Sequence, residues 1–131
     1  MLKRGPISAV IHGAIEYVAG ILLIAAPLLI DFNSSGATAI SLIFGVGVLV
    51  LAATSDMPTG LIAQIPVGAH LVLDFVLAVL LIGSPFLFGF SDETAPTALF
   101  IVLGIAHLLI TIGTRFVPGP TPAAAASRRP G

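Results

Sequence analysis

His70–Phe90, HLVLDFVLAVLLIGSPFLFGF, decides the fold because the chain contains this stretch twice. Laid without gaps on His12–Phe32, HGAIEYVAGILLIAAPLLIDF, it is identical at eight of 21 positions, among them His12/His70, Pro27/Pro85 and Phe32/Phe90. Aliphatic runs match one another cheaply, so Leu22/Leu80, Leu23/Leu81 and Ile24/Ile82 carry little weight. The polar and special positions carry more. Each copy has a His, an acid four residues later (Glu16, Asp74), an aromatic beside the acid (Tyr17, Phe75) and a Pro fifteen residues after the His. A tandem duplication of a membrane unit accounts for all of them.

Composition sets the solvent. At 131 residues, 57% hydrophobic and 8% charged, with mean hydropathy +1.16, the chain has more apolar surface than a soluble domain of this length can bury. A formal net charge of −1 provides no basic patch to neutralise phosphates, which excludes a nucleic-acid partner. The absence of cysteine removes disulfides, thiolate metal sites, iron–sulfur clusters and covalently attached haem together.

Outward from the repeated stretch, the organisation is a short N-terminal segment (residues 1–6), a first two-span repeat (7–54), a linker (55–64), a second two-span repeat (65–114) and a tail (115–131). The first apolar run, from Ile7 to about Ile30, is too long for a signal-peptide core and is repeated internally, where no signal would act. DFNSSG, residues 31–36, reads as a tight turn, so the span after it is antiparallel. That second span, Ala37 to Thr54, sets Ala37, Ser41 and Gly45 four apart on one face. The spacing either permits close helix approach or reflects the general abundance of small residues in such helices. The third span, about Val67 to Phe88, begins beside Pro66, and the fourth is Ala95 to Thr114. With one residue inserted in the turn, the fourth aligns with the second at Thr38/Thr97, Ala39/Ala98, Gly45/Gly104 and Leu49/Leu108. From Pro118 the chain is Pro- and Ala-rich, and expected to be disordered because it lacks the large apolar groups that offset ordering entropy.

The fold class expected is therefore an all-α membrane protein, a four-helix transmembrane bundle of two parallel-repeat hairpins. Lys3, Arg4, Arg115, Arg128 and Arg129 flank the outer ends of the repeats, whereas the hairpin turns carry Asp31, Asp92 and Glu93. By the positive-inside rule both termini are cytoplasmic and the acidic turns face outward, in the cell (inner) membrane. Two spans per unit return the chain to its starting side, which places the pseudo-two-fold along the membrane normal.

His12/Glu16 and His70/Asp74 are i, i+4 pairs on one helix face. An ionised acid at this depth costs about 2.5 to 3.5 kcal/mol, so such groups turn inward, pair or become protonated. Under the pseudo-two-fold the pairs are expected to meet near the axis. Three readings of that cluster stand: a hydrogen-bonded clasp between the repeats, a proton or small-ligand site, and a His/carboxylate metal shell. His107 aligns with Val48 and is not duplicated; it is expected to pack as a satisfied side chain, to join the cluster, or, with His12 and His70, to ligate haem. Pro27 and Pro85 are expected to kink or end their helices early. Phe86, Phe88 and Phe90, with Phe32 in the other copy, read as an aromatic rim at the outer interface.

Ser84-Pro85-Phe86 and Ala26-Pro27-Leu28, each in the first span of a two-span unit, resemble the motif of the SPW-repeat family of small prokaryotic membrane proteins, although neither copy has the Trp. The resemblance spans both halves and implies this fold and a membrane location, but supplies no catalytic residues. A fainter similarity to duplicated-hairpin acid-resistance membrane proteins points to a stress role. With almost no other intramembrane polar groups and no nucleophile beside a base, the expected function is non-enzymatic: an accessory or scaffold subunit in the bilayer, held by a membrane-protein partner or self-association, with no cofactor and no metal assigned. The alternatives are a small proton-coupled, metal or solute transporter using the cluster, and a haem-binding electron-transfer subunit.

Overall fold

The computed structural model describes residues 5–116. Lys3, Arg4, Arg128 and Arg129, and with them the expected disorder of the tail from Pro118 onward, lie outside the described residues. Four helices carry the fold: α1 (Ala9–Leu29), α2 (Ser35–Thr54), α3 (Val67–Leu87) and α4 (Thr94–Gly113). Two short strands, β1 (Ile7–Ser8) and β2 (Thr114–Arg115), flank them. Each helix is long and apolar enough to cross a bilayer, and at about 1.5 Å per residue each reaches about 30 Å. Large aliphatic side chains such as Val18, Leu28, Val79, Val102 and Leu109 point outward. The protein is a multi-pass membrane protein, and this surface meets lipid.

The ends of the helices follow from local chemistry. Ser8 caps α1 by accepting the Ile11 N–H at 3.2 Å, and Ser34 caps α2 by accepting the Ala37 N–H at 3.1 Å. Glu93, the residue before α4, does not cap its own helix; its carboxylate crosses to the other turn and accepts the Asn33 and Ser34 N–H groups. At the far ends of α1 and α3 the chain turns through left-handed backbone, at Asp31 (φ 55°) and Gly89 (φ 74°), which are equivalent positions in the repeat. Pro27 and Pro85 sit within the last turns, and each helix continues to the second residue beyond its proline. Pro27 has no N–H to give Leu23 O, and the Ser41 hydroxyl donates to that carbonyl instead, at 2.5 Å.

Within each hairpin the helices pack closely along their length. A Cβ on Gly45 would lie 2.8 Å from Gly20 O, and one on Gly104 would lie 3.0 Å from Ala78 O, so both seams depend on a missing side chain. Ala37 and Ser41 are buried on the same face as Gly45. In the half nearer the hairpin turns, Leu23, Leu81, Phe90 and Phe100 form a dry core, with the Phe90 and Phe100 rings edge to face at 5.3 Å. This corrects the expected rim. Phe86 and Phe88 do face outward, at 65% and 48% exposure, but Phe90 is 1% exposed because Gly89 reverses the chain and carries it under the bundle.

Between hairpins, the helix backbones approach over short stretches of α1 with α4 and α2 with α3. At the opposite end from the turns the hairpins join through parallel pairings: β1 with β2, in the register Ile7 with Thr114, and a bridge of Ser55 with Ile65. Ile7/Ile65 and Ser55/Thr114 are repeat equivalents, so this is one contact made twice about the pseudo-two-fold. Arg115 lies in β2 and Phe116 is buried, so the fold runs two residues into the segment read as tail. The linker folds back on α2 through Leu61 N–H to Ala53 O at 2.7 Å and is tied to α1 by the Tyr17 hydroxyl, which donates to Thr59 O at 2.9 Å.

Candidate functional site

Four side chains meet where the hairpins join. His12 and Glu16, one turn apart on α1, face His70 and Asp74, one turn apart on α3, and all four are buried. The i, i+4 spacing places each acid over its own His, and the pseudo-two-fold places each acid against the other copy's His. His12 Nε2 lies 3.5 Å from Glu16 Oε1 and 3.1 Å from Asp74 Oδ2. His70 Nε2 lies 3.2 Å from Glu16 Oε1 and 3.1 Å from Asp74 Oδ2. The result is a closed ring of two nitrogens and two oxygens, alternating.

His107 joins from α4 on one side only. Its Nε2 stands 3.4 Å from Asp74 Oδ1, the carboxylate oxygen outside the ring. Val48, its equivalent on α2, is a buried aliphatic, so the cluster departs from two-fold symmetry at this position. Phe116 closes the site from the end of the bundle, with its ring edge to face on His12 at 4.9 Å and tilted against His70 at 6.1 Å.

Two further residues belong to the site and were not singled out in the sequence. Thr114 Oγ1 is 2.9 Å from His12 Nδ1, and Ser55 Oγ is 2.6 Å from His70 Nδ1. Each hydroxyl also donates to a carbonyl one turn back, Thr114 to Ile110 O and Ser55 to Leu51 O, both at 2.5 Å. A hydroxyl has a single proton, so toward the ring it accepts, and each imidazole donates its Nδ1–H. In a neutral ring this leaves Nε2 facing inward as a lone pair, whereas a protonated ring donates from Nε2 as well, along the 3.1 Å hydrogen bond between His12 Nε2 and Asp74 Oδ2. The contacts cross between copies: Ser55 of the first repeat holds His70 of the second, and Thr114 of the second holds His12 of the first. The repeat alignment contains the signal, since the register matching Leu49 with Leu108 pairs Ser55 with Thr114 six residues later.

Several buried polar atoms of the site have no hydrogen-bond partner among the described residues: Glu16 Oε1, His70 Nε2, Asp74 Oδ1 and His107 Nε2. Buried polar groups are ordinarily satisfied, and unsatisfied ones are costly in a low-dielectric interior. Pro27 and Pro85 lie near the turn end, well away from the cluster along the helices. In the motif around each, Ala26 and Ser84 are buried while Leu28 and Phe86 face outward at 85% and 65% exposure.

No curated protein and no solved structure matches the chain. The family description that matches is the SPW repeat domain, over residues 10–114. That span takes in both hairpins and the whole His/acid cluster, and on it the chain belongs to the SPW repeat family.

Proposed function

We propose that this protein is a non-enzymatic membrane subunit, an accessory or scaffold component that associates with a membrane-protein partner or with further copies of itself. In this reading both termini are cytoplasmic, in the cell membrane, and the His/acid cluster clasps the two hairpins so that their outer faces form one rigid docking surface. The observation that carries it is the division of the interior. The buried ionisable groups gather at one end of the bundle, while Leu23, Leu81, Phe90 and Phe100 fill the other half, where the buried hydroxyls of Ser41 and Ser84 donate to main-chain carbonyls. A carrier needs a polar route through that half, because an ion in transit is as costly there as a fixed charge. Carboxylate oxygens within 3.1 to 3.5 Å of the His12 and His70 Nε2 atoms occupy the space a haem ring would need, so haem ligation is not part of the reading.

The test pairs assembly with flux. Glu16→Gln and Asp74→Asn are introduced together; native-complex size is measured in mild detergent, and proton and metal flux in reconstituted vesicles. The scaffold reading expects wild-type vesicles to be silent and the variant complex to be smaller or dissociated. Flux in wild-type vesicles that the variant loses, with assembly intact, would sink it in favour of a carrier.

A further inference from the structure

We infer that the ring of His12, Glu16, His70 and Asp74 is a binding site for one divalent first-row transition-metal ion, with zinc the best-matched member of the class. The inference rests on the clasp reading and identifies what lies at the centre of the clasp.

A tetrahedral zinc ion with ligand bonds of about 2.05 Å separates its ligand atoms by roughly 3.4 Å. The four neighbouring N–O separations around the ring are 3.5, 3.1, 3.2 and 3.1 Å. All four ligand atoms lie within 4.8 Å of one another, so small side-chain rotations are enough to close them on a common ion. Donor type follows: two imidazole nitrogens and two carboxylate oxygens suit zinc and its neighbours rather than magnesium or calcium, which prefer oxygen alone.

The proton inventory supplies the independent observation. Ser55 and Thr114 draw the Nδ1–H of each imidazole outward, so in the neutral rings the Nε2 lone pairs face carboxylate oxygens. Lone pairs opposed at 3.1 Å repel unless a proton or a metal ion stands between them. His70 Nε2 has two carboxylate oxygens within 3.2 Å and yet makes a hydrogen bond to neither, so a buried ring nitrogen stands unpaired between the two acids. His12 Nε2 does lie in hydrogen-bonding geometry to Asp74 Oδ2, at 3.1 Å, which marks the edge along which a proton competes with the ion. One divalent ion neutralises both carboxylates at once and leaves the site uncharged, as a buried position in a bilayer favours. The remaining parts match the shell around known metal sites. Hydroxyls fix the outer nitrogens of the ligating imidazoles, and His107 Nε2 stands 3.4 Å from the oxygen of Asp74 that lies outside the ring.

The test uses the full chain, purified in mild detergent, stripped with chelator, incubated with Zn²⁺ and desalted. About one zinc per chain is expected by elemental analysis, with a melting temperature higher in zinc than in chelator. Substituting Co²⁺ is expected to give the visible absorption of a four-coordinate ion. His70→Ala is expected to abolish uptake. Ser55→Ala and Thr114→Val, which keep all four ligands, are each expected to weaken affinity by about 10- to 100-fold. These two keep the test valid if His70→Ala does not fold. Stripped wild-type protein that is folded, takes up no zinc and melts identically in zinc and chelator overturns the inference; so does zinc uptake undiminished in Ser55→Ala and Thr114→Val. Failure here with normal complex size leaves the scaffold role standing, whereas flux with zinc bound removes the scaffold role and not the site.

Discussion

Set against each other, the hairpin α1–α2 and the hairpin α3–α4 follow one path with different interiors. In the first, Ser41 donates to the Leu23 carbonyl that Pro27 leaves free. The second has Phe100 at the equivalent position, packed on Phe90 in the dry core. In the first, Val48 fills its place with an aliphatic side chain; in the second, His107 reaches Asp74. Yet the His, the acid and the hydroxyl are of the same type in both copies, and each is completed by the opposite copy. Packing tolerates divergence as long as volumes remain complementary, because dispersion and apolar contact are not directional. The ring has no such freedom, since each imidazole nitrogen must meet a carboxylate oxygen across the axis.

The largest expected effect breaks the symmetry of the acids. Asp74 is in contact with three imidazoles and Glu16 with two, so Asp74→Asn is expected to cost about 3 to 5 kcal/mol, as for one partner removed from a buried ion pair, and Glu16→Gln less. Unfolding in detergent with a denaturing surfactant measures both; an equal loss would mean that His107 adds nothing. Next come the seams: Gly45→Ala and Gly104→Ala are each expected to cost about 1 to 3 kcal/mol, because the added methyl meets backbone on the facing helix. A loss at only one of them would show that the two hairpins close by different means.

Ser55→Ala and Thr114→Val leave a buried imidazole N–H unpaired and are expected to cost about 1 kcal/mol each in the same assay. Unequal values would locate which crossing contact carries more of the clasp. The smallest effect has the opposite sign. Asp31→Gly gives the first turn the residue that the second has at Gly89, and relief of left-handed strain is expected to stabilise by up to about 1 kcal/mol. A thermal melt by circular dichroism that falls instead would mean that the Asp31 side chain holds its turn.

The helices and the duplication were legible because a bilayer demands long apolar spans and leaves polar residues conspicuous within them. His12, Glu16, His70 and Asp74 stood out for that reason, and their i, i+4 spacing placed each pair on one face. Ser55 and Thr114 did not stand out. Each looks like an ordinary residue at the end of a span, and its partner belongs to the other hairpin, a relation that no local spacing encodes. Phe90 was misplaced for a similar reason: hydropathy counts it as one more apolar residue past the helix, while one left-handed glycine sends it inward. The parallel pairings of Ile7 and Ile65 are shorter than any periodicity can register.

Those pairings also bear on connectivity. Ser55 and Ile65 are neighbours through a covalent linker, and Thr114 and Ile7 are neighbours through the same backbone contact without one. The bundle is thus a ring with one joint of peptide and one of hydrogen bonds. Opening the chain within residues 56–64 and splicing the segment after β2 to the one before β1 would leave each helix where it stands. The order of the hairpins would then be marked in the site by side chains alone, His107 and Phe116 foremost, and not by the path of the helices.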